Sequence, residues 1–372
     1  MDFNSDTNGE WVVNKDCGVF TSNDTTVVAN IYCPHSRRQM QIVDPILLHL
    51  LHFLSTPRSA QSICSFLADR GMPLTSALEL VGELIDARVI IDQCGRNGEQ
   101  NKHDDIWRKF NWGEALFFNQ SCQDESYLDE VDPKNEVRRR TLGDYISAKS
   151  IPNGGLDSGS RAEIILPEAE STGSRPLWDL LSERRTTRQF AGSAIPLSVL
   201  ARVLRSGSQV QRRILNEIAA MAEEEPTVVL RSLFTALDLF VVAQRVSDLP
   251  VATYEYDCSR HSLVKVRPFG HVDEADQALK TVIWGQGMAS AACFSIFLVV
   301  NFERYMWQYR YPRAYRNILI SAGELGQLLL VVGQSEGLKS CMTPAIRDSF
   351  TDELLSVNSD VRQCFYYLGF GL

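Results

Sequence analysis

The stretch ERRTTRQF, residues 183–190, gathers Arg184, Arg185 and Arg188 with Thr186 and Thr187 inside eight positions. Guanidinium forks form charge-assisted, often bidentate bonds to phosphate oxygens, and neighbouring hydroxyls satisfy the oxygens that remain. The stretch follows the apolar PLWDLL. A helix capped by Ser174 and continuing through it would set Arg184 and Arg188 one turn apart, pointing the same way. Such a pair can also be a solvated helix end. Its setting makes phosphate binding worth pursuing, because the chain carries a net charge of -9, with 46 acidic against 37 basic residues.

The elements that must position this cluster can be read from pattern. The chain has 372 residues, 44 % hydrophobic and 22 % charged, the balance of a globular protein large enough for more than one core. Its acidic character argues against nucleic acid as a partner, which requires basic stripes. The polar start MDFNSDTNGEW lacks the features of a signal peptide. The apolar run CFSIFLVV has the length of a buried strand, and no run approaches the 18 or so residues of a membrane span, so no membrane partner is expected. Nine cysteines are scattered without a C-x-x-C pair, which suits reduced thiols in a cytoplasmic protein. The six histidines show no metal-ligand spacing, so no metal site is expected.

Residues 1–95 read as a winged-helix-like domain. WVVN and TVVANIY are strand-like, and three short amphipathic helices follow: DPILLHLLHFL, SAQSICSFLADRG and LTSALELVGELIDAR. Asp44 ahead of Pro45 is a good helix start. With little basic charge, the unit suits peptide docking better than DNA reading. Residues 96–161 form a linker and connecting segment bounded by GRNGEQNKHDD and SIPNGGLDSGSR. Residues 162–372 alternate helix and strand: LSVLARVLRSG closed by Gly207, the polar VQRRILNEIAAMAEEE, strands in LFVVAQRV, PVATYEYD and FSIFLVVNF, a long helix in YRNILISAGELGQLLLVVGQSEG, and a final strand in CFYYLGFG. The class is α+β.

In this order, RRTTRQFAGSAIPLSVLARVL resembles the opening Arg-Arg-Ser-x-Arg-x-Phe motif of the nitroreductase superfamily. FVVAQRVSDLPVATYEYD and ERYMWQYRYPRAYRNILISAGELGQLLLVVGQSEGLKSC resemble later segments of its SagB-type dehydrogenases. The resemblance implies a nitroreductase-like fold, a central mixed sheet flanked by helices, binding FMN. It also implies oxidation of azoline rings to azoles in ribosomally made peptides, with a leader peptide held by the N-terminal domain. Partners would be a second copy in a homodimer, or a related oxidoreductase or cyclodehydratase in a heteromer. Arg184, Thr186 and Arg188 would hold FMN, with Arg185 either a further contact or an exposed neighbour. Ser232, Thr343 and Ala345 would lie near the flavin, and Gln308-Tyr309 takes the place of a Lys-Tyr pair that moves protons. Arg313, Tyr315 and Arg316 match family positions, and Glu324 stands where histidine is frequent.

Four departures bear on chemistry. The family's Pro-Ser-Gly-Gly loop falls at VLRS, residues 229–232, leaving Ser232 without neighbouring glycines. Its flavin-facing Gly-Gly falls at Pro344-Ala345, where proline has no N–H to give. Gln308 is an amide and transfers no proton at neutral pH. The last residues, YYLGFGL, lack the basic residue that often completes the phosphate site. A tyrosine left alone is a better acid than base, which opens two further readings: reduction of dehydroamino acids, or a degenerate subunit that binds leader peptide and supports a partner enzyme.

Overall fold

A computed structural model describes residues 9–15, 17–21, 26–33, 36, 38–92, 109–110, 112–122, 136, 140, 161–168, 175–221, 233–309 and 311–372. The GRNGEQNKHDD linker, residues 150–160 of the second linker, Ser174 and Ser232 lie outside them. The chain divides into two compact units, Met1–Ser126 and Tyr127–Leu372.

The first unit contains β1 (Glu10–Val13), β2 (Gly18–Thr21), β3 (Ala29–Cys33), β4 (Arg38–Ile42), α1 (Ile46–Phe53), β5 (Arg58–Ser59), α2 (Ala60–Ala68), α3 (Leu74–Asp86), β6 (Ile90–Asp92) and α4 (Gly113–Ser121). Two antiparallel three-stranded sheets form, ordered β5-β1-β6 and β2-β3-β4. The helices start where local chemistry allows. The Asp44 carboxylate accepts the Ile46 N–H at 2.9 Å, and the Ser59 hydroxyl accepts the Ser62 N–H at 3.2 Å. Ala77, Val81 and Leu84 of α3 are buried at helical spacing against Leu50, Ile63 and Leu67 from the other two helices.

The second unit contains β7 (Glu163–Ile165), α5 (Leu177–Glu183), α6 (Leu197–Gly207), α7 (Gln209–Met221), β8 (Leu237–Ala243), β9 (Ala252–Asp257), β10 (Ser262–Pro268), α8 (Val272–Val282), β11 (Phe294–Asn301), α9 (Phe302–Gln308), α10 (Ala314–Ser335), β12 (Lys339–Thr343), α11 (Asp348–Leu355) and β13 (Arg362–Gly371). Seven strands form one sheet ordered β12-β13-β11-β8-β9-β10-β7. The named strands pair antiparallel, and parallel pairing enters through two isolated bridges, Thr186 with Ser340 and Ile195 with Val246. Alternation along β8 sends Leu239 and Val241 to the face covered by α6 and α10. It sends Phe240 and Val242 to the face covered by α8 and α11.

α10 is long and apolar enough by composition to cross a membrane. Its buried residues Ile318, Ala322, Leu325 and Leu329 belong to the sheet core, which accounts for that character. Gly333 lets α10 approach the sheet, since a Cβ there would meet the Phe370 ring at 2.5 Å.

Three local expectations are corrected. α5 starts at Leu177 with Pro176 in the cap position, so the cap expected at Ser174 is displaced by the proline that opens the helix. α5 stops at Glu183, and Arg184 has φ -55° and ψ 124°, so the arginines do not lie on a continuing helix. The cause is non-local: the edge of β12 captures the chain through the Thr186–Ser340 bridge. α6 includes Gly207 and is closed by Ser208, whose hydroxyl donates to the Leu204 carbonyl at 2.7 Å.

Candidate functional site

The arginine segment runs along the outer edge of β12. The Thr187 N–H donates to the Ser340 carbonyl at 2.9 Å, and the Ala191 N–H donates to the Leu372 carbonyl at 2.9 Å. Phe190 fixes the path between these bonds. A Cβ on Gly371 would meet its ring at 2.6 Å, so that glycine is what admits the ring against the end of β13. Two consecutive β-branched threonines suit the extended backbone.

The segment's side chains differ in how they are used. Arg185 folds back on α5, donating to the carbonyls of Ser182 at 2.7 Å and Arg184 at 2.9 Å, and so covers the helix end. Arg184 is half-buried, while Thr186 and Arg188 are exposed. No carboxylate of the described residues pairs with Arg184, Arg185 or Arg188. Burial pushes the Cys341 thiol up to about 11, and the charge of nearby Arg188 pulls the other way.

On the far side of Ser340, β12 ends in the loop Thr343–Ile346. The Ala345 N–H donates to the Thr343 hydroxyl at 3.1 Å, and the Ile346 N–H donates to the Pro344 carbonyl at 3.0 Å. Pro344 has none. The N–H groups of Ala345 and Ile346 are therefore already engaged within the loop.

Tyr309 lies elsewhere. It follows α9, which is capped by the Asn301 carboxamide accepting the Arg304 N–H at 3.0 Å. The Tyr309 ring packs on Tyr305 at 4.9 Å and on Tyr311 at 6.2 Å. The Tyr305 hydroxyl donates to the Ala314 carbonyl at 2.9 Å, and burial raises its phenol well above the ordinary range. The aromatic group thus marks the N-terminal end of α10, whereas Ser340 and the arginine segment follow its C-terminal end. The structure sets Thr186 beside Ser340 and Arg188 near Cys341 on β12, the strand that ends at Thr343 and leads to Ala345, whereas Tyr309 joins the aromatic group ahead of α10. Gln308 is the last residue of α9; its side chain, like Ser232, lies outside what is described. Arg313 is the residue ahead of α10, Tyr315 stacks near Phe302 at 6.2 Å, Arg316 is half-buried, and Glu324 is exposed.

One polar group escaped the sequence reading. On the sheet, Asp238 holds Arg304 and, at 2.7 Å, Arg362, which also reaches Glu255. Burial pushes the Glu255 carboxyl up and Arg362 draws it back down. The signal available was Asp238 inside the otherwise apolar LDLFVVA and Glu255 between the two tyrosines of ATYEYD.

Relatives extend these observations. The chain is 25 % identical over 324 residues to the trifolitoxin operon protein TfxC of Rhizobium leguminosarum bv. trifolii, covering 82 % of this chain and 85 % of that one. A solved nitroreductase-type chain from Anabaena variabilis is 20 % identical with a TM-score of 0.47, over 57 % of this chain and 42 % of its own length. The Escherichia coli microcin synthetase McbBCD complex, solved with truncated pro-MccB17 bound, contains a chain 14 % identical with a TM-score of 0.37, over 67 % of this chain and 98 % of that one. The model of the nitroreductase family matches residues 181–372, which begin in α5, include the arginine segment and run through β13. That match spans more than half of the sequence, and the chain belongs to the nitroreductase family.

Proposed function

We propose that the protein is an FMN-dependent oxidoreductase acting on a ribosomally synthesised peptide, with azoline-to-azole dehydrogenation as its reaction. The observation that carries this reading is the extended segment on β12, where Arg184 and Arg188 flank Thr186 with no carboxylate partner among the described residues. Unpartnered like charges repel, so an anion is the economical reason to hold them together. The phosphate end of FMN fits these residues; the ring end finds no available backbone N–H on Pro344–Ile346. FMN, when bound, supplies a two-electron acceptor. Tyr309 would move a proton at its phenol oxygen, and the first unit would hold the leader peptide, using an open sheet edge at β5 or β6.

Tyr309 precedes α10 and the arginine segment lies along β12, and a second chain would complete the site around them. Exposed apolar side chains on α5 and α10, among them Trp178 at 81 % and Ile320 at 61 % exposure, suit a homodimer or a heteromer with a related oxidoreductase or cyclodehydratase. The relation to an operon protein over most of both chains supports work alongside other proteins on one product.

The engaged donors of Thr343–Ile346 favour a second reading, a subunit that binds leader peptide and supports a partner's site. Absorbance near 450 nm, the usual flavin position at about that wavelength, separates the two. A protein that carries or takes up FMN, and loses about 10²–10⁴-fold of its turnover on Tyr309→Phe, supports the enzyme. A colourless protein unchanged by added FMN supports the second reading. If that turnover proves to be reduction of dehydroamino acids, the direction assigned here is wrong.

A further inference from the structure

We propose that the first unit carries a pocket for an acidic side chain of a docked peptide, flanked on that peptide by an aromatic or apolar residue. The inference rests on the reading that this unit docks a peptide, and it names what the unit recognises.

The pocket is a cavity of about 450 Å³ between the C-terminal ends of α1 and α2. Such a volume admits a few side chains. Its walls carry His49, His52, Arg58 and Arg70, and none of the described residues lining it is acidic. In a chain with a net charge of -9, two arginines facing one cavity, with no acid among its described lining residues, make a local inversion of sign. A concavity lined by one sign of charge raises the local concentration of an entering counter-charge.

The cations are also held in place. Phe53 and Phe66 stack with centroids 4.3 Å apart and planes 18° from parallel. The Arg58 guanidinium lies 4.5 Å over Phe53, and that of Arg70 lies 3.6 Å over Phe66. This Arg–Phe–Phe–Arg arrangement fixes both guanidiniums by cation–π contact. Arg58 Nε donates to the Phe53 carbonyl at 3.3 Å and Arg70 Nη1 to the Phe66 carbonyl at 3.0 Å. A guanidinium has five N–H donors, so most on each arginine are left for a ligand. No carboxylate of the described residues pairs with either arginine.

The hydroxyls of Ser55 and Thr56 add donors to the same wall, and the phenylalanines add an apolar one. Charge with an aromatic surface suits a carboxylate carried beside an apolar group better than a bare inorganic anion. Position supplies the peptide. Arg58 is in β5, an edge strand that pairs with β1 alone among the described strands. A peptide strand added along that edge would pass the pocket mouth and place alternate side chains toward it.

A random dodecapeptide display library panned on the full-length protein tests this directly. Enriched sequences should hold an Asp or Glu next to an aromatic or large apolar residue. A synthetic peptide of that consensus should lose at least tenfold in affinity on Arg58→Gln with Arg70→Gln, and should weaken as salt is raised from about 50 to 500 mM. Arg70→Gln alone, at an exposed position, keeps the test valid should the double variant fold poorly, with thermal unfolding as the control. Enriched peptides without an acidic excess would overturn the proposal, as would acidic peptides that the variants bind equally well. A protein that enriches no peptide at all fails at the earlier step, the docking reading itself, and the pocket falls with it.

Discussion

Two arginine pairs in the same unit have opposite surroundings. Arg304 and Arg362 meet Asp238 and Glu255 on the sheet, two cations with two carboxylates, with side chains 24 % exposed or less. Arg184 and Arg188 lie at the sheet's outer edge, where Thr186 supplies a hydroxyl and no carboxylate of the described residues joins them. The first pair is neutralised from within, so its partners are part of the fold. The second leaves its charge available, which the fold has no use for and an anionic ligand does. Residue type is the same in both; what differs is whether the chain itself supplies the counter-charge.

The comparison breaks most visibly if the first pair is not structural. Asp238→Asn removes the carboxylate shared by Arg304 and Arg362 while keeping its shape. Losing one partner of a buried pair costs about 3–5 kcal/mol, and the residual exposure here places the expectation near 3. Urea unfolding of the variant measures it. A loss below about 0.5 kcal/mol, ordinary for surface positions, would mean that solvent already does what Asp238 is credited with.

Arg188→Ala should behave the other way. Its side chain is exposed, so unfolding should stay within about 0.5 kcal/mol of the parent. FMN affinity should fall at least tenfold, since one charge-assisted contact contributes about 1.5–3 kcal/mol. Isothermal titration reads the second quantity on the same sample. Unchanged FMN affinity removes Arg188 from the phosphate site; a large stability loss makes it a further structural arginine beside Arg304 and Arg362. Arg185→Ala sharpens the result: with its guanidinium already on two carbonyls of α5, it should lower FMN affinity less than Arg188→Ala does.

How legible these regions were depends on how local their causes are. α10 could be read because Ile318, Ala322, Leu325 and Leu329 recur at helical spacing, and β11 because it is one unbroken apolar run. α1 could be placed through Asp44 and Pro45. The turn at Arg184 could not, because Ser340, more than 150 positions later, sets it. β7, three residues long, holds its place through pairing with β10 and carries no pattern of its own. The Asp238–Glu255–Arg304–Arg362 group is scattered over four elements, and no spacing unites it before the strands are assembled. Of the site, the residue types at 184–188 and at Pro344 were legible. That the Ala345 N–H is taken by Thr343 was not.

That last bond gives the smallest and most discriminating test. If FMN is held by its phosphate at Arg184 and Arg188, its ring has to lie somewhere, and the resemblance puts it against Thr343–Ile346. Thr343→Val keeps the β-branched shape and removes the acceptor, so the Ala345 N–H would be released toward a ligand. One neutral hydrogen bond contributes about 0.5–1.5 kcal/mol, so FMN affinity should rise by about two- to tenfold. Pro344→Gly restores a second N–H at the adjoining position, and the two changes together should add if both donors face the ring. The Arg188→Ala loss should persist on this background, because phosphate and ring are held by separate residues. An affinity that neither substitution moves would place the ring away from this loop, and the supporting-subunit reading would then gain what the oxidoreductase reading loses.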